Sequence, residues 1–120
     1  MVELAGLRIL VVEDELFVAM ALEEILQLAG CVVIGPILRV ANAVLVARDA
    51  EIDVALLDVN LAGEFVFPVA EALMERRIPF VLMTGYARSG VPPEYADRPA
   101  LAKPFRSDAV LGALAAAAKH

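Results

Sequence analysis

The chain predicts an α/β fold, a doubly wound parallel sheet of five strands with helices on both faces. Three observations carry this expectation. Short apolar runs alternate with helix-period segments, several of those runs are apolar at consecutive positions, and the residues able to do chemistry fall at the carboxyl ends of the runs. Consecutive apolar residues mark strands covered on both faces, whereas strict alternation would mark a strand with one wet face. Strand alternating with helix in units this short requires parallel pairing through right-handed crossovers.

The first strand is Ile9 to Val12, inside the stretch RILVVEDE. Val18, Ala21, Leu22, Ile25 and Leu26 then recur at helical spacing, and Gly30 supplies the stop. Val32 to Ile34 is the second strand and Val40 to Asp49 the second helix. Val54 to Leu57 follows as the third strand, Val66 to Arg77 as the third helix and Phe80 to Met83 as the fourth strand. The first four strands read as buried on both faces. Between Thr84 and Lys103, GYARSGVPPEYADRPALA contains Gly85, Gly90 and three prolines without a sustained apolar period. The helix due there is shortened or replaced by loop. Ala100 to Ala102 is a short fifth strand, and Asp108 to Lys119 is the last helix, capped by Ser107 or Asp108.

A length of 120 residues fits one domain, residues 1–120, with a single substantial core. Apolar residues make up 61% of the chain against 22% charged, which excludes disorder. The longest uncharged stretch, Ile25 to Leu38, spans 14 residues and contains Gly30, Gly35 and Pro36, too short and too broken to cross a bilayer. MVELAG lacks the pattern of a signal peptide, and a single cysteine, Cys31, forms no internal disulfide, so the cytoplasm is the expected compartment. A net charge of −6, with ten Lys and Arg and no basic cluster, points away from nucleic acid.

The polar residues then fall into place. Glu13 and Asp14 follow the first strand, Asp58 ends the third, Thr84 ends the fourth and Lys103 follows the fifth. In an open parallel sheet that edge is where ligands bind, so residues scattered along the chain converge on one crevice. Alone, each has a plain structural explanation as a turn former, a cap or a solvated lysine; together they do not. Three carboxylates in one crevice repel unless a cation sits among them. Mg²⁺, a hard ion that takes oxygen ligands, suits Asp14, Asp58 and the backbone carbonyl of Asn60, with Glu13 acting through water. Asp58 is the candidate nucleophile: a carboxylate can attack phosphorus to give an acyl phosphate, with Mg²⁺ and the Lys103 ammonium offsetting the charge. The Thr84 hydroxyl can hydrogen-bond a phosphoryl oxygen and so sense it.

The pair Glu13-Asp14, LLDVNLAG around Asp58, Thr84 and the triplet Lys103-Pro104-Phe105 share one order and spacing. In these the sequence resembles the response-regulator receiver domains of two-component signalling over essentially the whole chain. The resemblance implies a flavodoxin-like sheet of order 2-1-3-4-5 and transfer of a phosphoryl group from a histidine kinase or histidine phosphotransfer protein to Asp58. It implies Mg²⁺ held by Glu13, Asp14, Asp58 and the Asn60 carbonyl, phosphoryl oxygens bound by Thr84 and Lys103, and a cis bond before Pro104. Self-catalysed acceptance and slow dephosphorylation are implied, rather than conventional enzyme turnover. Where most of the family has a switching Tyr or Phe, three residues before Lys103, this chain has Ala100. Tyr86 stands two residues after Thr84, and IPFVLMTGYA is similar to the subgroup named for its Phe-Ala-Thr-Gly-aromatic-Tyr motif, with Met83 in place of Ala. Tyr86 and the loop Ala87 to Pro99 are therefore the expected carriers of the conformational response.

Leu16, Phe17 and Met20 make the start of the first helix apolar outside its core stripe, which suggests a docking patch beside the site. Receivers resemble one another in using this helix against the histidine-bearing helices of their kinases. A stand-alone regulator is the expected organisation, with a possible downstream protein partner. Two other classes compete. A pseudo-receiver would keep the fold as an interaction module without phosphorylation, which the presence of Asp58, Lys103 and Thr84 disfavours. A haloacid-dehalogenase-type phosphatase also uses a strand-end Asp and Mg²⁺, but wants a second acid where this chain has Asn60.

Overall fold

In a computed structural model, which describes residues 4–61, 63–85, 92–95 and 97–118, strands and helices alternate along the chain. β1 (Arg8–Val12), β2 (Val32–Ile37), β3 (Val54–Asp58), β6 (Phe80–Thr84) and β7 (Ala100–Ala102) form one sheet in the order β2-β1-β3-β6-β7. Every pairing in it is parallel. Counting only these five strands, the order is the expected 2-1-3-4-5. β4 (Asn60–Leu61) and β5 (Glu64–Phe65) make a separate antiparallel hairpin directly after Asp58.

Alternation of side chains along each strand divides the core into two layers. Leu10, Val12, Ala55, Leu57, Phe80 and Leu82 face α2 (Val40–Asp49) and α3 (Phe67–Glu75). Ile9, Val11, Val54, Leu56, Val81 and Met83 face α1 (Leu16–Leu28) and α4 (Ser107–Ala118). β1 beyond Arg8 and all of β3 and β6 are buried on both faces, as their continuous apolar sequences require. β2 departs from that expectation: it is an edge strand, part exposed along its length. It also runs three residues further than the sequence suggests, through Gly35 and Pro36. Pairing shifts from Leu10 opposite Ile34 to Val12 opposite Ile37, so one extra residue of β2 is accommodated as a bulge. Gly35 has φ +107, and a Cβ there would lie 2.7 Å from both the Ile37 nitrogen and the Val11 oxygen. Only glycine fits.

The first helix buries Ala19, Leu22 and Leu26, with Val18 and Ile25 partly covered, while Ala21 faces outward, contrary to the predicted stripe. The last helix begins at Ser107, and its first backbone bond runs from the Val110 N–H to the Arg106 carbonyl. Capping therefore falls one residue earlier than predicted, and the Asp108 carboxylate accepts from the Ala109 N–H inside the first turn. Between β6 and β7 the described residues contain a 3₁₀ turn, Pro93–Tyr95. Tyr95 is nevertheless buried, stacked on Phe67 with ring centroids 4.8 Å apart. Arg76 donates to the Ala47 carbonyl in the last turn of α2, 2.6 Å away. Among the described residues no helix is long and apolar enough to cross a membrane.

Candidate functional site

The carboxyl ends of β1, β3, β6 and β7 bring the predicted residues together. Glu13 follows β1 and is held by the β2 bulge, because the shifted register lets its N–H donate to the Ile37 carbonyl at 3.1 Å. Asp58 closes β3 opposite Met83 of β6, and the next residue, Val59, donates to the Met83 carbonyl at 3.0 Å. Thr84 closes β6, and its carbonyl accepts the Lys103 N–H at 2.7 Å. That bond places the root of the lysine across from the acids. The Lys103–Pro104 peptide bond is cis, as is Gly35–Pro36.

Glu13, Asp58 and Thr84 are the only buried polar or charged residues among those described. Lys103 is the cation among them: its Nζ lies 2.9 Å from Glu13 Oε2, 3.3 Å from Asp58 Oδ2 and 3.8 Å from Glu15 Oε1. Glu15 occupies the N-cap position of α1 without a side-chain cap bond. Glu13 Oε1 accepts the Glu15 N–H at 3.0 Å, so this buried carboxylate also fixes the start of α1. Its Oε2 accepts no hydrogen bond and is held only by the charge of the ammonium.

Charge in the crevice is unbalanced. Glu13, Asp14 and Asp58 can each direct a carboxylate oxygen to within 4.8 Å of the others. Burial above all, then the neighbouring charge of Glu13, pushes the Asp58 carboxyl up to about 7 against the opposing pull of Lys103. Burial works against the Lys103 ammonium as well, but contact with Glu13 and Asp58 outweighs it and holds the lysine above its ordinary value. One ammonium thus serves a cluster of at least three acids. An all-oxygen donor set, a buried carboxylate oxygen without a hydrogen bond and an acid whose pKa is raised by burial and by Glu13 together fit a hard divalent cation.

Asn60 lies two residues beyond Asp58 at the start of β4, and its side-chain oxygen accepts the Gly63 N–H at 3.0 Å. Beside the acids a cavity of about 420 Å³ is lined by Asp14, Leu38, Arg39, Leu61 and Glu64. Leu16, Phe17 and Met20, at the start of α1, are all exposed, Phe17 by 84%. Phe17 therefore does not pack into the domain. Ala100 opens β7, part buried. Tyr86 and residues 87–91 and 96 lie outside the described residues. Two features had no counterpart in the sequence reading: the pairing of Glu13 with Lys103, and the bulge that sets the height of Glu13. The adjacent Gly35-Pro36 was the available signal for the second.

No protein-family model matches the sequence, and no curated protein matches it. Solved structures do. SdrG from Sphingomonas melonis Fr1 is 45% identical, with 100% of both chains covered and a TM-score of 0.84. The receiver domain of sensor histidine kinase PA1611 from Pseudomonas aeruginosa PAO1, with a magnesium ion coordinated in its active-site cleft, is 25% identical over 97% of this chain and 100% of that one, with a TM-score of 0.84. A response regulator receiver protein from Sinorhizobium medicae WSM419 is 25% identical over 95% of each chain, with a TM-score of 0.81.

Proposed function

Because this chain belongs to the receiver domains of response regulators, we propose that it accepts a phosphoryl group on Asp58 from a histidine kinase or histidine phosphotransfer protein and changes conformation in response. The observation that carries this reading is the placement of Asp58. It is a buried strand-end carboxylate 3.3 Å from an ammonium and inside a three-carboxylate cluster. Asp14, Asp58 and the Asn60 carbonyl would hold Mg²⁺, with Glu13 behind them. When bound, the ion supplies positive charge to the acids and to the oxygens of the incoming phosphoryl group.

The chain's own residues do the rest. A carboxylate oxygen of Asp58 forms the new bond to phosphorus as the bond from phosphorus to the donor imidazole nitrogen breaks, and that nitrogen leaves with the electron pair. Lys103 is already within ion-pair distance of the acceptor and moves little to meet a phosphoryl oxygen. Glu13 is the counter-charge that keeps the ammonium in place before the group arrives. Thr84, buried at the end of β6, offers its hydroxyl to the phosphoryl group once present, and its carbonyl already ties it to Lys103. Tyr86 and the loop that follows carry the response onward. The exposed Leu16, Phe17 and Met20 form the docking patch for the donor, and the protein acts in the cytoplasm.

Intact mass after incubation with acetyl phosphate tests the reading, with and without Mg²⁺, on the wild type and on Asp58→Ala. A Mg²⁺-dependent gain of one phosphoryl group in the wild type alone is the expected result. No gain and no Mg²⁺ binding would leave a fold that serves as an interaction module.

A further inference from the structure

The hairpin that follows Asp58 ends in an aromatic residue that the core does not enclose. In β5, Phe65 pairs with Asn60, and the Val66 N–H donates to the Val59 carbonyl at 3.0 Å. Val66 is thereby buried completely, while Phe65 stays 52% exposed. A lone exposed apolar side chain is ordinary on a protein surface, but Phe65 is the end of a row of rings. It stacks on Phe67 with centroids 5.8 Å apart and planes inclined by 24°, and Phe67 stacks on the buried Tyr95 at 4.8 Å and 18°. Tyr95 in turn meets Phe80 in a tilted contact at 6.5 Å.

The two ends of the row differ. At the inner end the chain supplies its own cation, for the Arg98 guanidinium lies 5.0 Å over the Phe80 ring. Among the described residues no cation lies over Phe65. Carboxylates accompany the row on its way out: Glu71 stands one helical turn beyond Phe67 on α3, and Glu94 precedes Tyr95 in the 3₁₀ turn. Both are exposed, and neither forms an ion pair among the described residues. Burial first, then the charges of Glu71 and Glu94, push the Tyr95 phenol up against the pull of Arg98, so both carboxylates act within electrostatic reach of the rings. An open π-face beside unpaired acids is complementary to a cation.

We infer that Phe65 receives an arginine side chain from a basic segment of a partner protein, with the guanidinium flat on the exposed ring and further basic residues of the segment facing Glu71 and Glu94. Arginine suits the ring better than lysine: its guanidinium is planar and weakly hydrated, whereas an ammonium is a strongly hydrated point charge. A purely apolar partner would take the acids out of water with no counter-charge. An acidic partner would meet repulsion from a chain of net charge −6. The surface is separate from the Asp58 crevice, and its occupation does not depend on phosphorylation.

The test is amide-resolved NMR titration of the ¹⁵N-labelled chain with a five-residue synthetic peptide alternating arginine with alanine, and with its lysine counterpart. Saturable shifts at Phe65, Val66, Phe67, Glu71 and Tyr95 are expected, with affinity roughly threefold higher for the arginine peptide. Phe65→Ala is expected to weaken binding roughly fivefold, and Phe65→Tyr, which keeps the ring, to preserve it. Glu71→Gln changes only an exposed charge, so a loss of roughly twofold there comes from the contact and not from the fold. Absence of saturable shifts, equal binding of the lysine peptide, or undiminished affinity in Phe65→Ala overturns the inference. Larger shifts at Asp14 and Glu15 than at Phe65 overturn it as well, since the peptide would then be drawn to the crevice acids, as does self-association of the chain through Phe65, which would make a second copy the occupant.

Discussion

Replacing Lys103 with methionine removes the cation that serves Glu13 and Asp58 while keeping a side chain of similar length. At an effective dielectric of about 20, a unit-charge pair at the 2.9 Å separation of Lys103 and Glu13 is worth about 6 kcal/mol, and one at the 3.3 Å separation of Lys103 and Asp58 about 5 kcal/mol, before desolvation is subtracted. Removing one partner of a buried pair costs about 3–5 kcal/mol net. Lys103 keeps 15% side-chain exposure, so the low end applies: about 3 kcal/mol at pH 8, where Asp58 is ionised. The loss shrinks on acidification. The Asp58 carboxyl is pushed up to about 7 by burial and by Glu13, so at pH 5 it carries a proton and no longer needs the lysine. Only the Glu13 contact is then lost, at about 2 kcal/mol. Urea unfolding followed by far-ultraviolet circular dichroism, with EDTA present, measures both values. A loss below 1 kcal/mol at both pH values, or a larger loss at pH 5 than at pH 8, would refute the reasoning.

The same carboxyl predicts opposite pH trends with and without metal. A raised acid stabilises the metal-free fold fully below its ordinary value near 3.8, and that contribution is lost as pH rises through about 7, so the wild type in EDTA gains stability between pH 8 and pH 5. Calorimetric titration of Mg²⁺ should instead show affinity falling by roughly tenfold per unit as pH drops below 7, because the proton competes for Asp58; a pH-independent affinity would contradict this. Gly35→Ala drives a Cβ into the Ile37 nitrogen and the Val11 oxygen at 2.7 Å and demands φ +107 of alanine. It should cost about 3 kcal/mol in urea unfolding and weaken Mg²⁺ binding through the displaced Glu13. Thr84→Val should change stability by only about 1 kcal/mol and leave acetyl phosphate labelling in place, while abolishing phosphorylation-induced amide shifts beyond β6 in NMR spectra.

Much of the fold could be read from the sequence because buried parallel strands need continuous apolar runs, and β1, β3 and β6 have them with polar residues immediately after. Asp58, Thr84 and Lys103 meet because the strands that carry them pair in parallel register and end at one edge. What escaped depends on contacts between segments. Gly35 and Pro36 look like a strand terminator, yet the bulge they form carries β2 on to Ile37 and supplies the carbonyl that anchors Glu13. The β4–β5 hairpin spans too few residues to show a period. Burial of Tyr95 depends on ring contacts with Phe67 and Phe80, far away in sequence, which the surrounding Pro and acidic residues, with their loop character, do not reveal. Arg77 reads as an ordinary helix-end cation until its backbone angle is known.

Chemical trapping of the acyl phosphate tests the central claim most directly. Borohydride reduces a phosphorylated aspartate to homoserine, and peptide mass spectrometry then locates the altered residue. After labelling with acetyl phosphate and Mg²⁺, homoserine at position 58 alone is the predicted result. Homoserine at position 14 with position 58 unaltered, or no reduced residue in a chain whose mass shows phosphorylation, would contradict the assignment of Asp58 as the phosphoryl acceptor.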